Sequence, residues 1–141
     1  MIITKNFTLE EFLFSEIATR HNIEEQKKPS PQVLKNIEIL CVNLLQPLRE
    51  ILSDGYIKIT SGYRCERLNE LVKGSNTSQH MVGEAADIQY FENGKMENEK
   101  IIEAMRESGI EYDQMIDEFD LAWVHLSYRL GKNRTMSFKK V

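Results

Sequence analysis

The chain has 141 residues, 41% apolar and 28% charged, with seven glycines and three prolines, a balance that excludes a disordered or fibrous chain and suits one folded domain over residues 1–141. A formal net charge of -4 and a pI near 5.5 argue against nucleic acid or an anionic membrane as the main partner, since both select basic surfaces. No apolar run reaches membrane-spanning length and the N-terminus resembles no secretory signal, so a protein without membrane insertion, cytoplasmic as synthesised, is expected.

Along the chain, Thr8 followed by Glu11 predicts a capping box that opens a short helix with Leu9, Phe12 and Leu13 on its apolar side. Ser30-Pro31 supplies an N-cap and a first-turn proline. From there Val33, Leu34, Ile37, Leu40, Cys41, Leu44, Leu45, Leu48 and Ile51 recur at helical spacing, which predicts a central helix over 31–52, kinked by Pro47. Cys41 and Cys65 follow no disulfide or zinc-ribbon spacing and read as buried thiols. After Ser53-Asp54-Gly55, the alternation in Tyr56-Ile57-Lys58-Ile59-Thr60 predicts a strand that ends at Ser61-Gly62.

A short helix over 64–72, a loop over 74–78 and a strand over 85–90 follow. A helix over 98–107 turns Ile101, Ile102, Ala104 and Met105 inward. Two strands, 113–118 and 123–128, form a hairpin, and the residues from Lys132 to Lys140 read as a short basic tail. The sum is an α+β fold with helices on a small, mainly antiparallel sheet.

Chemistry concentrates around two of the three histidines. His80 begins His-Met-Val-Gly-Glu-Ala-Ala-Asp, so a loop histidine precedes Asp87 at the start of an apolar strand, and His125 lies within Trp-Val-His-Leu-Ser. Two histidines and one carboxylate suit an open zinc centre, which takes three protein ligands and leaves a position for water. Taken singly, a histidine in an apolar strand is more often a hydrogen-bonded core residue and Asp87 a turn or cap residue, and the spacing alone does not establish a metal site.

Three segments, Ser61-Gly62-Tyr63-Arg64, Ser78-Gln79-His80-Met81-Val82-Gly83-Glu84-Ala85-Ala86-Asp87 and Trp123-Val124-His125, resemble the ordered motifs of the zinc D-alanyl-D-alanine carboxypeptidase and L-alanyl-D-glutamate endopeptidase family, SxHxxGxAxD followed by WxH. The resemblance covers about residues 7–128. It implies a hedgehog-like, D-Ala-D-Ala-peptidase-like fold, with zinc (Zn2+) held by His80, Asp87 and His125. It also implies hydrolysis of D-amino-acid-containing stem peptides of peptidoglycan. Arg64 matches the family arginine that faces the scissile carbonyl, where a guanidinium stabilises a developing oxyanion or, alternatively, holds the loop by a salt bridge. Ser78 and Gln79 bond substrate, orient a ligand or cap the loop, and Trp123 and Tyr63 wall the groove or join the core.

One departure stands out, because many relatives carry the general base three residues before the last histidine, where this chain has Ala122. If residues 119–122 form a four-residue hairpin loop, Glu118 pairs with Trp123 and shares a face with His125, while Asp117 points away. Glu118 is therefore the expected base and Asp120 the alternative. A non-catalytic, metal-stabilised wall-binding module is the rival reading, and a metal-free scaffold a third. A monomer is expected, reaching the wall if a partner pore releases it.

Overall fold

Alternation along three neighbouring strands divides one sheet into an apolar face and a polar face, and the helices cover the apolar one. The structure is a computed structural model that describes residues 1–141. Its strands are β1 (Ile2–Thr4), β2 (Phe7–Thr8), β3 (Tyr56–Ser61), β4 (Ala85–Glu92), β5 (Lys95–Met96), β6 (Gln114–Glu118), β7 (Trp123–Ser127) and β8 (Met136–Lys140). The first two form a small ribbon. The other six form a sheet of order β3-β4-β7-β6-β8, with β5 hydrogen-bonded to β4; every pair is antiparallel except β6 with β8. The expected α+β class holds.

Helix α1 (Leu9–Leu13) begins with the predicted box: the Thr8 N–H donates to the Glu11 carboxylate at 2.7 Å, and the Glu11 N–H donates to the Thr8 hydroxyl. Phe12 is its fully buried contact. A second short helix, α2 (Glu16–Arg20), capped by Ser15, was not expected from the sequence. The long central helix comprises α3 (Pro31–Leu40), a π turn (Cys41–Leu45) and α4 (Gln46–Ile51). Pro47 explains the π turn. It has no N–H and its ring crowds the carbonyl one turn back, and a wider turn relieves both demands without breaking the helix.

Val33, Ile37, Leu40, Cys41, Leu44, Leu45 and Leu48 are buried, most of them completely, and each large one contributes about 1.5–3 kcal/mol by leaving water. Ile51 departs from this stripe. It is half exposed because the helix ends there, and Leu52 turns back into the core in its place. Both cysteines are free and buried, and burial, with the nearby Glu11 charge, pushes the Cys41 thiol up to about 12. Helix α5 (Glu66–Leu71) lies within its predicted span, and α6 (Glu99–Ser108) runs one residue beyond its own.

On β4, β6 and β7 the residues Ala86, Ile88, Tyr90, Met115, Val124 and Leu126 join the core that the central helix and α6 cover. Two elements correct the sequence reading. Asn93-Gly94, both left-handed, form a tight turn that adds β5 to β4. The basic tail is a strand: β8 runs parallel to β6 in the register Gln114↔Met136 to Glu118↔Lys140. Its mixed, exposed residues carry no clean alternation, so only long-range pairing reveals it.

Candidate active site

Asp87 and His125 face each other across the β4–β7 ladder, a directly opposed pair. His125 Nδ1 lies 3.0 Å from Asp87 Oδ1. His80 arrives from a 3-10 turn (Gln79–Val82) just before β4, and its Nε2 lies 3.3 Å from the same oxygen. The chain must reverse within a few residues to bring His80 back over Asp87. Gly83 makes this possible, since it adopts φ +79° and a side chain there would meet the Val33 carbonyl at 2.7 Å. Ala85 and Ala86 are buried, Ala86 on the core face.

The Ser-Gly-Tyr-Arg segment sets the ring of His80. Its Nδ1 donates to the Gly62 carbonyl at 2.7 Å, since a carbonyl only accepts, and this leaves Nε2 as the nitrogen that faces Asp87. Gly62 is needed because a side chain would meet Phe12 backbone at 2.7 Å. The Arg64 N–H donates to the His80 carbonyl at 3.0 Å and ties the two segments together. The two imidazole rings stand edge to face, 5.2 Å apart.

These three side chains are all buried, and their donor atoms lie within 4.8 Å of one another. Burial alone would raise the Asp87 carboxyl, but His80 and the hydrogen bond from His125 hold it well below the ordinary carboxylate range. As a purely hydrogen-bonded core the cluster is incomplete, because His125 Nε2 is buried without a partner. The 3.3 Å separation matches, and the 3.0 Å separation falls a little short of, the edge of about 3.3–3.4 Å in a tetrahedron with bonds of about 2.0–2.1 Å. The residues fit a zinc ion.

Around this cluster opens a cleft of about 550 Å³. Its floor is the polar face of β4, β7 and β6. Residues 119–122 do form the four-residue loop, with Phe119, Asp120 and Leu121 all left-handed, and Glu118 pairs with Trp123 while Ile116 pairs with His125. Glu118 and His125 thus share a face one diagonal step apart, and both line the cleft. The Trp123 indole N–H donates to Glu118 Oε2 at 3.2 Å. Asp117 lies on the opposite face and accepts from the Leu121 N–H at 2.7 Å. Asp120 and Ala122 do not line the cleft.

Arg64 has no carboxylate within salt-bridge distance. Its Nη2 donates to the Ser78 hydroxyl at 3.1 Å, and its Nε is buried without a partner. Burial lowers the guanidinium pKa, opposed by the charges of Asp87 and Glu118. Ser78 also accepts from the His80 N–H, so one hydroxyl joins the cap of the histidine turn to the arginine. The Gln79 amide donates to Asp113 Oδ2 at 2.7 Å, while its Oε1 is buried and unpartnered.

Of the two places expected for Tyr63, groove wall or core, the structure shows the second: it packs against the core and does not line this cleft. Its N–H donates to the Phe12 carbonyl, which draws it toward α1 and α2, where it lines a separate hollow with Phe14 and Ile17. Asp113 and Arg134 were missed. The carboxylate of Asp113, fully buried, accepts from Arg134 Nε and Nη2 at 2.9 and 2.8 Å and from the Arg134 N–H. These bonds, Arg134 first, bring its pKa down to about 2. An aspartate at the head of an apolar strand was the one local hint, since a buried charge there requires a partner.

A buried His-Asp-His donor set at the floor of a polar cleft, with a carboxylate and an unpaired arginine beside it, defines the metallohydrolase class. The family model of peptidase M15 matches residues 5–127, and the chain belongs to that family of zinc-dependent metallopeptidases, the zinc D-Ala-D-Ala carboxypeptidase family. No curated protein matches the chain. No helix is long and apolar enough to cross a membrane.

Proposed function

We propose that the chain hydrolyses D-amino-acid-containing peptide bonds of peptidoglycan stem peptides, with His80, Asp87 and His125 as metal ligands, Glu118 as general base and Arg64 as oxyanion donor. A zinc ion held there would supply a Lewis acid that activates water and polarises the scissile carbonyl. Glu118, on the same sheet face as His125, takes the proton of the attacking water at its carboxylate and returns it to the leaving amine. The Trp123 indole orients that carboxylate from one side. Arg64, positioned by Ser78, meets the carbonyl oxygen as charge develops on it. Gln79, steered by Asp113, turns its free Oε1 toward substrate N–H groups.

The single observation that carries this reading is the position of Glu118. Ala122 favoured a non-catalytic wall-binding module because the usual acid is missing, but an acid on the neighbouring strand lines the same cleft as the donor cluster. On this reading residues 1–141 are one hedgehog-like domain acting as a monomer, and wall access follows release through a partner pore. Mass spectrometry of stem-peptide fragments, with zinc-loaded and chelator-treated protein, provides the test. Zinc-dependent cleavage beside a D-residue is expected; intact peptides at full zinc occupancy would return the module reading.

A further inference from the structure

The cleft reverses the sign of the whole protein. The chain carries a net charge of -4, yet four cations, Arg64, Lys73, Arg134 and Lys140, line the cleft against two carboxylates, Asp87 and Glu118, with a third, Asp113, buried behind Arg134. A metal on Asp87 would shift the balance further toward positive charge. Two of the four cations, Arg134 and Lys140, follow the last residue matched by the family, residue 127. They reach the cleft because β8 pairs with β6 and sets Lys140 beside Glu118, with Nζ 3.8 Å from Oε1.

Arg134 is held in place. Asp113 takes its Nε and Nη2 in a two-pronged bond, and the side chain, which lines the cleft, remains nearly half exposed. A guanidinium has five N–H donors, so this grip leaves three, the Nη1 pair and the second Nη2 N–H, held by a rigid fork. A site of this kind receives a planar anion, and among the groups of a peptide substrate only carboxylates answer that description.

We infer that Arg134, just before β8, and Lys140, at its end, bind a carboxylate of the substrate next to the scissile bond and make the enzyme selective for acidic peptides. This rests on the peptide-substrate reading above and deepens it. The carboxylate has two possible sources, the free C-terminus of a terminal D-residue and the α-carboxyl of a γ-linked D-glutamate. Both share the same chemistry.

The test uses the zinc-loaded full chain and a stem peptide, L-alanyl-γ-D-glutamyl-L-lysyl-D-alanine, in three forms: free, amidated at the C-terminus, and amidated at the D-glutamate α-carboxyl. Binding is read from the fluorescence of Trp123, the only tryptophan, which lines the cleft, so it requires no turnover. Arg134→Gln with Lys140→Gln is expected to weaken the free peptide by roughly tenfold, an effect that added salt reduces, and to leave one amidated form unchanged. That form identifies the carboxylate. Because Arg134→Gln leaves buried Asp113 without its counter-charge, Lys140→Gln alone, at an exposed position, serves as the variant that keeps the fold, with a smaller loss of the same selectivity.

Equal weakening of all three forms, no weakening in either variant, or no binding of the stem peptide by the unaltered protein would overturn the inference. Selective binding without cleavage would support it and sink the peptidase reading instead.

Discussion

The two faces of one sheet make the most instructive comparison in this molecule. On β4 and β7, successive residues alternate between tasks: Ala86, Ile88, Val124 and Leu126 are wholly or almost wholly removed from water under the helices, while Asp87 and His125 between them meet at the cleft floor. The apolar face gains free energy from burial, and that gain holds a polar cluster that would not assemble alone, since burying charge and imidazole is costly. Stability and chemistry are thus separated by a single residue along the chain, a direct result of the period of two in a strand.

The sharpest way to test that division is to truncate adjacent residues. His125→Ala is expected to abolish tight metal binding and reduce hydrolysis to background, with the helical and sheet signatures retained; full metal content by elemental analysis would refute the ligand assignment. Its neighbour Leu126→Ala is expected to cost about 2–5 kcal/mol in urea unfolding, because it opens a cavity under α6 and the central helix, with metal content per folded molecule preserved. If Leu126→Ala strips the metal as thoroughly as His125→Ala, the faces are not separable.

A second comparison lies within the β6–β7 hairpin, between the acid on the cleft face and the acids around the turn. Glu118→Gln keeps an acceptor for the Trp123 indole and removes the proton acceptor, so turnover should fall by about 10²–10⁴ with metal retained. Asp120→Asn, at an exposed turn position outside the cleft, should change turnover little. The reverse ranking in a steady-state assay would assign the base to Asp120. An acid placed at 122 is not expected to rescue Glu118→Gln, because residue 122 does not line the cleft.

The smallest effect is expected at Asp113, where the cleft face borrows a buried charge. Its carboxyl is lowered from 3.8 to about 2, so its stabilising contribution is complete above about pH 4 and is lost as pH falls through about 2. Asp113→Asn should flatten that part of the acid-unfolding curve and cost about 1–3 kcal/mol at neutral pH, by loss of the Arg134 and Gln79 bonds. An unchanged acid limb in circular dichroism would assign acid sensitivity to other carboxylates.

Much of this arrangement is written locally in the chain. The Thr8–Glu11 box, the Ser30-Pro31 helix start, the apolar stripe from Val33 to Leu48 and the strands around Asp87 and His125 all follow from spacing and side-chain chemistry within a few residues. Even the face of Glu118 was legible, because a four-residue turn converts sequence distance into strand register. Tertiary structure alone decided the rest. The parallel docking of β8 on β6, the reach of Arg134 to Asp113 and the turning of Tyr63 toward α1 depend on contacts between residues 21 to 51 positions apart. No local periodicity encodes such pairings; they form when the core face is already buried and the remaining polar groups must find partners.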